Sequence, residues 1–393
     1  MVVDQGTSIT TCQGFFYNTA STGEKIIAVF GIMEYLFLSH VSDSDVTKRS
    51  GSVYKALRGH ECLILFPANK SIYIFMGVPF EIKKVAEQSH HVRIDRGAVA
   101  RLVEERFQDF KAPSWDSFHH FHDGGEKTVA YLLALDTINF CFWPPPGRPR
   151  WEIQSRGQRL SGYYALAAAL RDAVESGTPL DDAEYLARMS LNELRRILGG
   201  QGELQLLRER GKALNELGRV LLESYGGKAH RMVEAARGSA VQLAGLLAGE
   251  LESFRDVAQY RGTEVFFYKR AQIFAADLHG AFQGRSWGAF HDMDQLTAFA
   301  DYKLPQVLRH LGVLHYSRNL SRKVDNNILI EAGSEEEVEI RANTITAVEM
   351  IRSELASMGK ELRSFEIDGL LWNLGQKKEF RRKPYHKTVT IFY

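Results

Sequence analysis

The chain has 393 residues, 45% of them hydrophobic and 25% charged, a balance that suits a globular protein able to bury a large core. Its 49 Lys and Arg against 48 Asp and Glu give a formal net charge of +1, so no global field draws it to a nucleic-acid duplex or an anionic membrane. Three cysteines, Cys12, Cys62 and Cys141, lie far apart without CxxC spacing, which argues against a disulfide framework or a thiolate zinc site and points to a reducing compartment.

Residues 1–77 read differently from the rest. Residues 26–30 and 62–66 are β-prone runs, and residues 66–75 predict a hairpin turning at Pro67 to Lys70. The apolar stretch 26–37 carries Glu34 and is too short to span a bilayer. No basic leader precedes it, so no secretory signal is expected and the expected location is cytoplasmic. This segment is read as a small α/β or β-containing extension that carries no chemistry.

From Val78 onward helical signals dominate, so the expected fold class is mainly α. Residues 83–107 predict one or two short helices, and residues 126–135 a helix leading into the aromatic segment 136–143, which Pro144-Pro145-Pro146-Gly147 closes. Residues 162–176 predict a helix whose alanines let another helix approach closely. Ser190 with Glu193, and Ser334 with Glu337, match capping boxes. The second opens a long amphipathic helix through Ile340, Ile345, Val348 and Ile351, its acidic run 335–337 favourable against the helix dipole.

The segment from Phe299 to Gly312 places Pro305 in the first turn of a helix, where its missing N–H is not needed, with Leu304, Val307, Leu308 and Leu311 as the apolar face. Asp301 therefore lies just upstream of a helix N-terminus. Two readings fit that place: a plain helix cap, or a carboxylate at a pocket edge that stabilises an oxocarbenium ion or activates water. In a helix Lys269, Ile273 and Asp277 fall at i, i+4 and i+8 and share one face, either as an internal ion pair or as pocket groups.

Asp136 and Asn139 carry the acceptors and donors to read a guanine-like edge, and Phe140, Phe142 and Trp143 offer faces for stacking. A buried β-like run with a capping Asp explains the same residues as well, just as Tyr163, Tyr164 and Trp372 read equally as core aromatics. His291-Asp292-Met293-Asp294 has no second ligand at helical spacing and reads as a solvated loop rather than a metal site. The P-loop and the strand-linked GxGxxG are absent from the sequence.

Together with Ser161-Gly162-Tyr163-Tyr164, Phe267 to Ile273, Val338-Glu339-Ile340-Arg341, Leu371-Trp372 and the closing residues 385–393, these stretches resemble the queuosine salvage protein family, the queuosine 5′-phosphate N-glycosylases, over residues 78–393. The resemblance implies a helical body similar to helix-hairpin-helix DNA glycosylases, a pocket for one nucleotide, and hydrolysis of queuosine 5′-phosphate to queuine and ribose 5-phosphate. It gives Asp301 the catalytic carboxylate role and Lys269 the supporting basic role, with no metal or organic cofactor. Asp136, Asn139, Phe140, Asp277, Tyr302 and Trp372 are the expected substrate-binding residues. Residues 1–77 depart from the family's pattern, and catalysis is not expected to depend on them. The expected partner is the small-molecule substrate, with no stable nucleic-acid complex and no membrane. Two alternatives stand beside this one. A nucleic-acid base glycosylase needs a basic phosphate-tracking face, and a non-catalytic modified-nucleotide or tRNA-binding protein needs the aromatic pocket without Asp301.

Overall fold

In the computed structural model the described residues are 80–107 and 114–393, with the backbone of seven short strands between Ser8 and Ile74. The chain divides into two compact units, Met1–Pro79 and Phe80–Tyr393.

In the first unit, β1 (Ser8–Cys12) and β2 (Phe15–Thr19) pair antiparallel. A five-stranded sheet follows in chain order: β3 (Ile26–Val29), β4 (Leu36–Ser39), β5 (Tyr54–Arg58), β6 (Glu61–Phe66) and β7 (Lys70–Ile74). Its pairs are antiparallel except β4 with β5. The expected hairpin is the β6–β7 pair, with Phe66 opposite Lys70.

The second unit is mainly helical. It begins with α1 (Phe80–Gln88), β8 (Val92–Ile94), α2 (Arg96–Arg106) and α3 (Glu126–Thr137). The hairpin β9–β10 (Glu152–Ser155, Gln158–Ser161) leads into α4 (Tyr163–Glu175), α5 (Ala183–Arg188), α6 (Leu191–Leu198), α7 (Leu207–Tyr225), α8 (Ala229–Ala235) and α9 (Ala240–Glu250). A second hairpin, β11–β12 (Val257–Tyr260, Thr263–Phe266), precedes α10 (Lys269–Ala281). Then come α11 (Lys303–His310), β13 (Leu314–Tyr316), which pairs back onto β8, α12 (Arg318–Asp325), α13 (Glu335–Ser357) and α14 (Ser364–Leu374). Short polar signals set several of these starts. Ser190 and Glu193 form the expected capping box at α6, and Asp95, Asp182, Ser239 and Ser317 cap α2, α5, α9 and α12.

One core gathers Leu102 and Val103 of α2, Leu304, Val307 and Leu308 of α11, Ile340, Val348 and Ile351 of α13, and Ile367 and Leu371 of α14. The apolar face expected on α11 is thus the face it buries, with Leu311 only partly covered. The sequence reading of α13 as amphipathic is corrected: Glu337, Glu339, Arg341, Asn343 and Thr344 are buried along with its apolar residues. Thr344 bonds back to the Ile340 carbonyl within the helix, whereas Glu339, Arg341 and Asn343 find partners in distant segments. Glu339, for example, accepts from the amides of His90 (3.0 Å), His91 (2.6 Å) and Val92 (3.2 Å) and from the Tyr260 hydroxyl (3.0 Å). The second capping box is corrected too. Ser334 accepts from the Glu337 N–H at 3.4 Å, but the Glu337 carboxylate turns to the Gly333 N–H and to Arg341 rather than back to the cap.

Segment 136–143 is not a strand. Asp136 and Thr137 form the last turn of α3, and the chain after them is irregular. Two buried arginines answer its carbonyls, which a helix end leaves without partners. Arg270 Nη1 donates to Asp136 O and Thr137 O, both at 2.6 Å, and Arg210 Nε to Ile138 O at 3.2 Å.

Candidate active site

A cavity of about 480 Å³ opens among the α3 exit, the N-termini of α4, α10 and α11, one face of α14, and the C-terminal tail. Of the eight residues expected at a site, Asp301, Lys269, Asn139, Asp277, Tyr302 and Trp372 line it, while Asp136 and Phe140 do not. Asp136 sits wholly buried behind the wall. Phe140 is core: it packs with Cys141 and Trp143, and the Arg210 and Arg270 guanidinium groups lie 4.3 and 5.1 Å from its ring centre. Phe142, two residues on, faces the cavity instead.

Asp301 fills both places its sequence offered. Its Oδ1 accepts from the N–H groups of Lys303 (2.6 Å) and Leu304 (3.0 Å), capping α11, and the residue lines the cavity at 9% exposure. The helix N-terminus and its two amides favour negative charge there. Facing it, Lys269 opens α10 and is buried, which lowers its ammonium pKa; the Asp301 charge opposes that shift. Asp368 of α14, not singled out by its sequence, completes this end. It accepts from the Phe299 N–H through Oδ1 at 2.7 Å, and burial, with Asp301 nearby, holds its carboxyl well above the usual carboxylate range.

One buried ion pair sets the register of these groups. Arg341 donates to both Asp256 oxygens (2.8 and 2.6 Å) and through Nε to Ala300 O (3.1 Å), next to Asp301. The Asp256 carboxylate in turn accepts from the Lys269 N–H at 3.2 Å. Its carbonyl accepts from Phe267 and Tyr268, the latter held at φ 46°. The guanidinium also lies 3.8 Å from the Phe267 ring centre and 4.5 Å from that of Tyr393, another wall residue.

Towards α3 and α4 the lining is aromatic and acidic. Gly162, at φ 66° in the region that favours glycine, swings the chain into α4 and presents Tyr163 and Tyr164, whose rings meet Trp372 edge-on at 6.0 and 5.4 Å. Lys269, Ile273 and Asp277 share the face of α10 that borders the cavity, as their spacing predicts. Burial raises the Asp277 carboxyl to about 7, and burial with Asp277 beside it pushes Asp136 well above its usual value. Asp136 Oδ1 meets Asn139 Nδ2 at 3.3 Å, whereas its Oδ2 is buried without a partner.

The Tyr163 hydroxyl lies 2.8 Å from His120 Nε2 and 3.4 Å from Asp277 Oδ2. Burial lowers His120 to about 4, so its ring is neutral at pH 7. The Asp116 carbonyl, 2.6 Å from Nδ1, can only accept, which assigns the ring proton to Nδ1 and leaves Nε2 to take the Tyr163 proton.

Around the start of α11 and the tail the lining is cationic: Arg150, Lys303, Arg381 and Lys387. Burial lowers Lys303 to about 8 against the pull of Asp301. Tyr302 and Tyr385 pack at 4.8 Å beside it. Sequence reasoning missed these cations together with Asp368 and His120, and it left Tyr163 open as a core aromatic. Lys303 and Lys387 stood inside the motifs it quoted, and Asp368 lies one turn before Trp372.

The stretch around His291 is corrected in part. Asp292 is buried rather than solvated, and it anchors α9 by accepting from Ser239 Oγ (2.5 Å) and the Ala240 N–H (2.6 Å). His91, Glu335 and Glu339 also cluster at metal-ligand range, but Glu339 is saturated by the donors above and Glu335 is paired with Arg261. No helix among the described residues is long and apolar enough to cross a membrane.

This cavity lies within the part of the chain that resembles known proteins. The model of the queuosine salvage protein family matches residues 119–393, which hold all but a few of the lining residues. A queuosine 5′-phosphate N-glycosylase/hydrolase of Sphaerobacter thermophilus is 47% identical over 319 residues, covering 81% of this chain and 98% of its own. Proteins of the same name from Bos taurus and Schizosaccharomyces pombe are 35% and 30% identical over 79% and 78% of this chain, and 97% and 93% of theirs. With such matches along nearly the whole length of each relative, the chain belongs to the queuosine salvage protein family.

Proposed function

We propose that this protein hydrolyses the N-glycosidic bond of queuosine 5′-phosphate, releasing queuine and ribose 5-phosphate. The observation that carries the reading is the polarity of one cavity, with the Asp301 carboxylate between an aromatic and acidic end and a cationic end. A nucleotide has the same order of parts. Its deazaguanine base fits against Trp372, Tyr164 and Phe142, with Asn139 and Asp277 toward its polar edge. Its 5′-phosphate fits Lys303, Arg150, Arg381 and Lys387, and its ribose comes to Asp301.

As the C1′–N9 bond lengthens, positive charge develops on the ribose. Asp301, fixed by two backbone amides, stabilises that charge and directs water to C1′. Lys269 holds the carboxylate in place. Asp136, behind the wall, supports Asn139 and Asp277 rather than touching the base. The mainly helical body with an aspartate at a helix N-terminus also supports the proposed likeness to helix-hairpin-helix glycosylases. A pocket for a single nucleotide favours a small-molecule substrate over nucleic acid.

The test is to incubate purified protein with queuosine 5′-phosphate, queuosine and intact queuosine-containing tRNA, and to measure free queuine. The monophosphate is expected to turn over fastest, because phosphate binding positions C1′ and its loss lowers kcat as well as affinity. Equal or faster release from tRNA would place the protein among nucleic-acid glycosylases, and no release from any of the three would leave a binding protein.

A further inference from the structure

The reaction proposed above needs a proton for the departing base, because a purine-like ring leaves poorly as an anion. We infer that Asp368 is the acid that supplies it. The inference rests on the proposed glycosidase reading and adds to Asp301 a second carboxyl of opposite duty.

Asp368 lies on the cavity wall with its side chain largely buried. Its Oδ1 is held by the Phe299 N–H at 2.7 Å, two residues before Asp301, so one short segment ties the two carboxyls together. Among the described residues, Oδ2 makes no hydrogen bond. On α14, Asp368 and Trp372 stand at i and i+4 and share a face, which sets the carboxyl beside the aromatic wall proposed for the base. Gly369, the next lining residue, adds no side chain to crowd that approach.

The charged groups around it decide its protonation. Asp301 from the α11 side raises its pKa, and Lys269 from α10 lowers it by a smaller amount than burial raises it. Lys303 lies further along, against Gly375 at the end of α14. From α13, Glu349 is paired with Arg352 and touches α14 at Ser364, the opposite end of that helix, and on α14 itself Glu366 is engaged by Arg363. Burial and Asp301 dominate, so Asp368 keeps its proton while Asp301 is held for the anionic role. Two carboxyls with environments that push them apart make an acid and an anion.

The step balances. The C1′–N9 bond breaks with its electron pair going to the base, and the Asp368 proton passes to a base nitrogen. Water adds to C1′ and gives its proton to Asp301. Solvent then reprotonates Asp368 and deprotonates Asp301, for a net consumption of one water.

Asp368→Asn separates this role from a structural one, because its amide oxygen still accepts from the Phe299 N–H. With queuosine 5′-phosphate the variant is expected to lose roughly a hundredfold or more in kcat, the usual worth of a general acid, with KM within a few-fold of wild type. With 4-nitrophenyl ribofuranoside 5-phosphate, whose leaving group needs no proton, the loss should be only a few-fold. Equal losses on the two substrates, or none on the nucleotide, would overturn the assignment.

The wild-type enzyme gives a check that needs no variant. The ratio of its kcat on the nucleotide to its kcat on the nitrophenyl substrate should fall at alkaline pH as Asp368 loses its proton, because the loss of charge at Lys303 acts on both substrates alike. A ratio that stays constant through the alkaline range counts against the acid. Whether the wild-type enzyme releases queuine from the nucleotide at all is a separate reading, so a failed function and a failed acid are told apart.

Discussion

Replacing Arg341 with Met removes a buried cation and leaves the two carboxyl groups it faces, Asp256 at hydrogen-bond distance and Glu337 at 3.5 Å. The two side chains, Arg341 and Asp256, are 2% and 4% exposed and share two short hydrogen bonds. Met preserves much of the apolar stem, so packing against Phe267 and Tyr393 is largely kept. Asp256 then keeps only its bond from the Lys269 N–H, and stranding one member of a buried pair costs about 3–5 kcal/mol. The Ala300 carbonyl loses its Nε donor, for about 1 kcal/mol more.

Adding Asp256→Asn to Arg341→Met removes the more closely held of the two stranded carboxyl charges, while the amide oxygen still accepts from the Lys269 N–H. The double variant is therefore expected to be more stable than Arg341→Met alone, so a second mutation in the core recovers stability. Urea denaturation at pH 7, followed by circular dichroism, measures this directly. A double variant no more stable than the single, or a single variant that costs less than about 1 kcal/mol, would refute the reasoning. Turnover per folded molecule should fall in both, because the strand of chain carrying Asp301 has lost its anchor.

Asp301→Asn is expected to lower kcat at least about a hundredfold, or about 2.7 kcal/mol of transition-state stabilisation, and to leave the unfolding midpoint unchanged, since Asn caps a helix as well as Asp does. Near wild-type turnover would remove Asp301 from the chemistry. For Asp277 the sign follows from its raised pKa: the folded chain holds a proton that the unfolded chain has released, so stability is lost as pH rises from 3.8 through about 7. Asp277→Asn escapes that loss and should match wild type near pH 4 while gaining up to about 4 kcal/mol at pH 8. A gain that is the same at both pH values would contradict the account. A chain shortened to residues 77–393 is expected to fold and release queuine at the full-length rate per folded molecule, because the cavity and the core around α13 lie within Phe80–Tyr393. A folded but inactive product would assign residues 1–76 a part in the site.

What the sequence made legible follows the range of the forces involved. The start of α11 could be read because capping and the tolerance for proline in a first turn are decided within a few residues. The shared face of Lys269, Ile273 and Asp277 could be read because helical spacing alone puts them there, and all three border the cavity. The choice between Phe140 and Phe142 could not be read. Both are aromatic neighbours in an irregular segment, and what turns Phe140 inward is a pair of arginines contributed by α7 and α10. Period could not predict α13 either, since its polar residues look like a solvent face until His90, Tyr260 and Asp256 arrive from elsewhere in the chain.

Aspartates show the same limit at the site itself. Asp301, Asp292 and Asp368 are indistinguishable by composition, and each caps or pins a backbone amide in the fold. What separates them is the wall they stand on. Asp292 gives its oxygens to the start of α9, away from the cavity. Asp301 gives one to α11 and lines the cavity from a helix N-terminus. Asp368 lines it from the interior of α14, with burial and Asp301 weighing against its charge. A helix N-terminus stabilises an anion, whereas a buried place beside another carboxylate stabilises the neutral acid. The division of labour between the two carboxyls is thus set by tertiary position, and it is the alkaline fall in the ratio of the two kcat values, rather than any motif, that can reveal it.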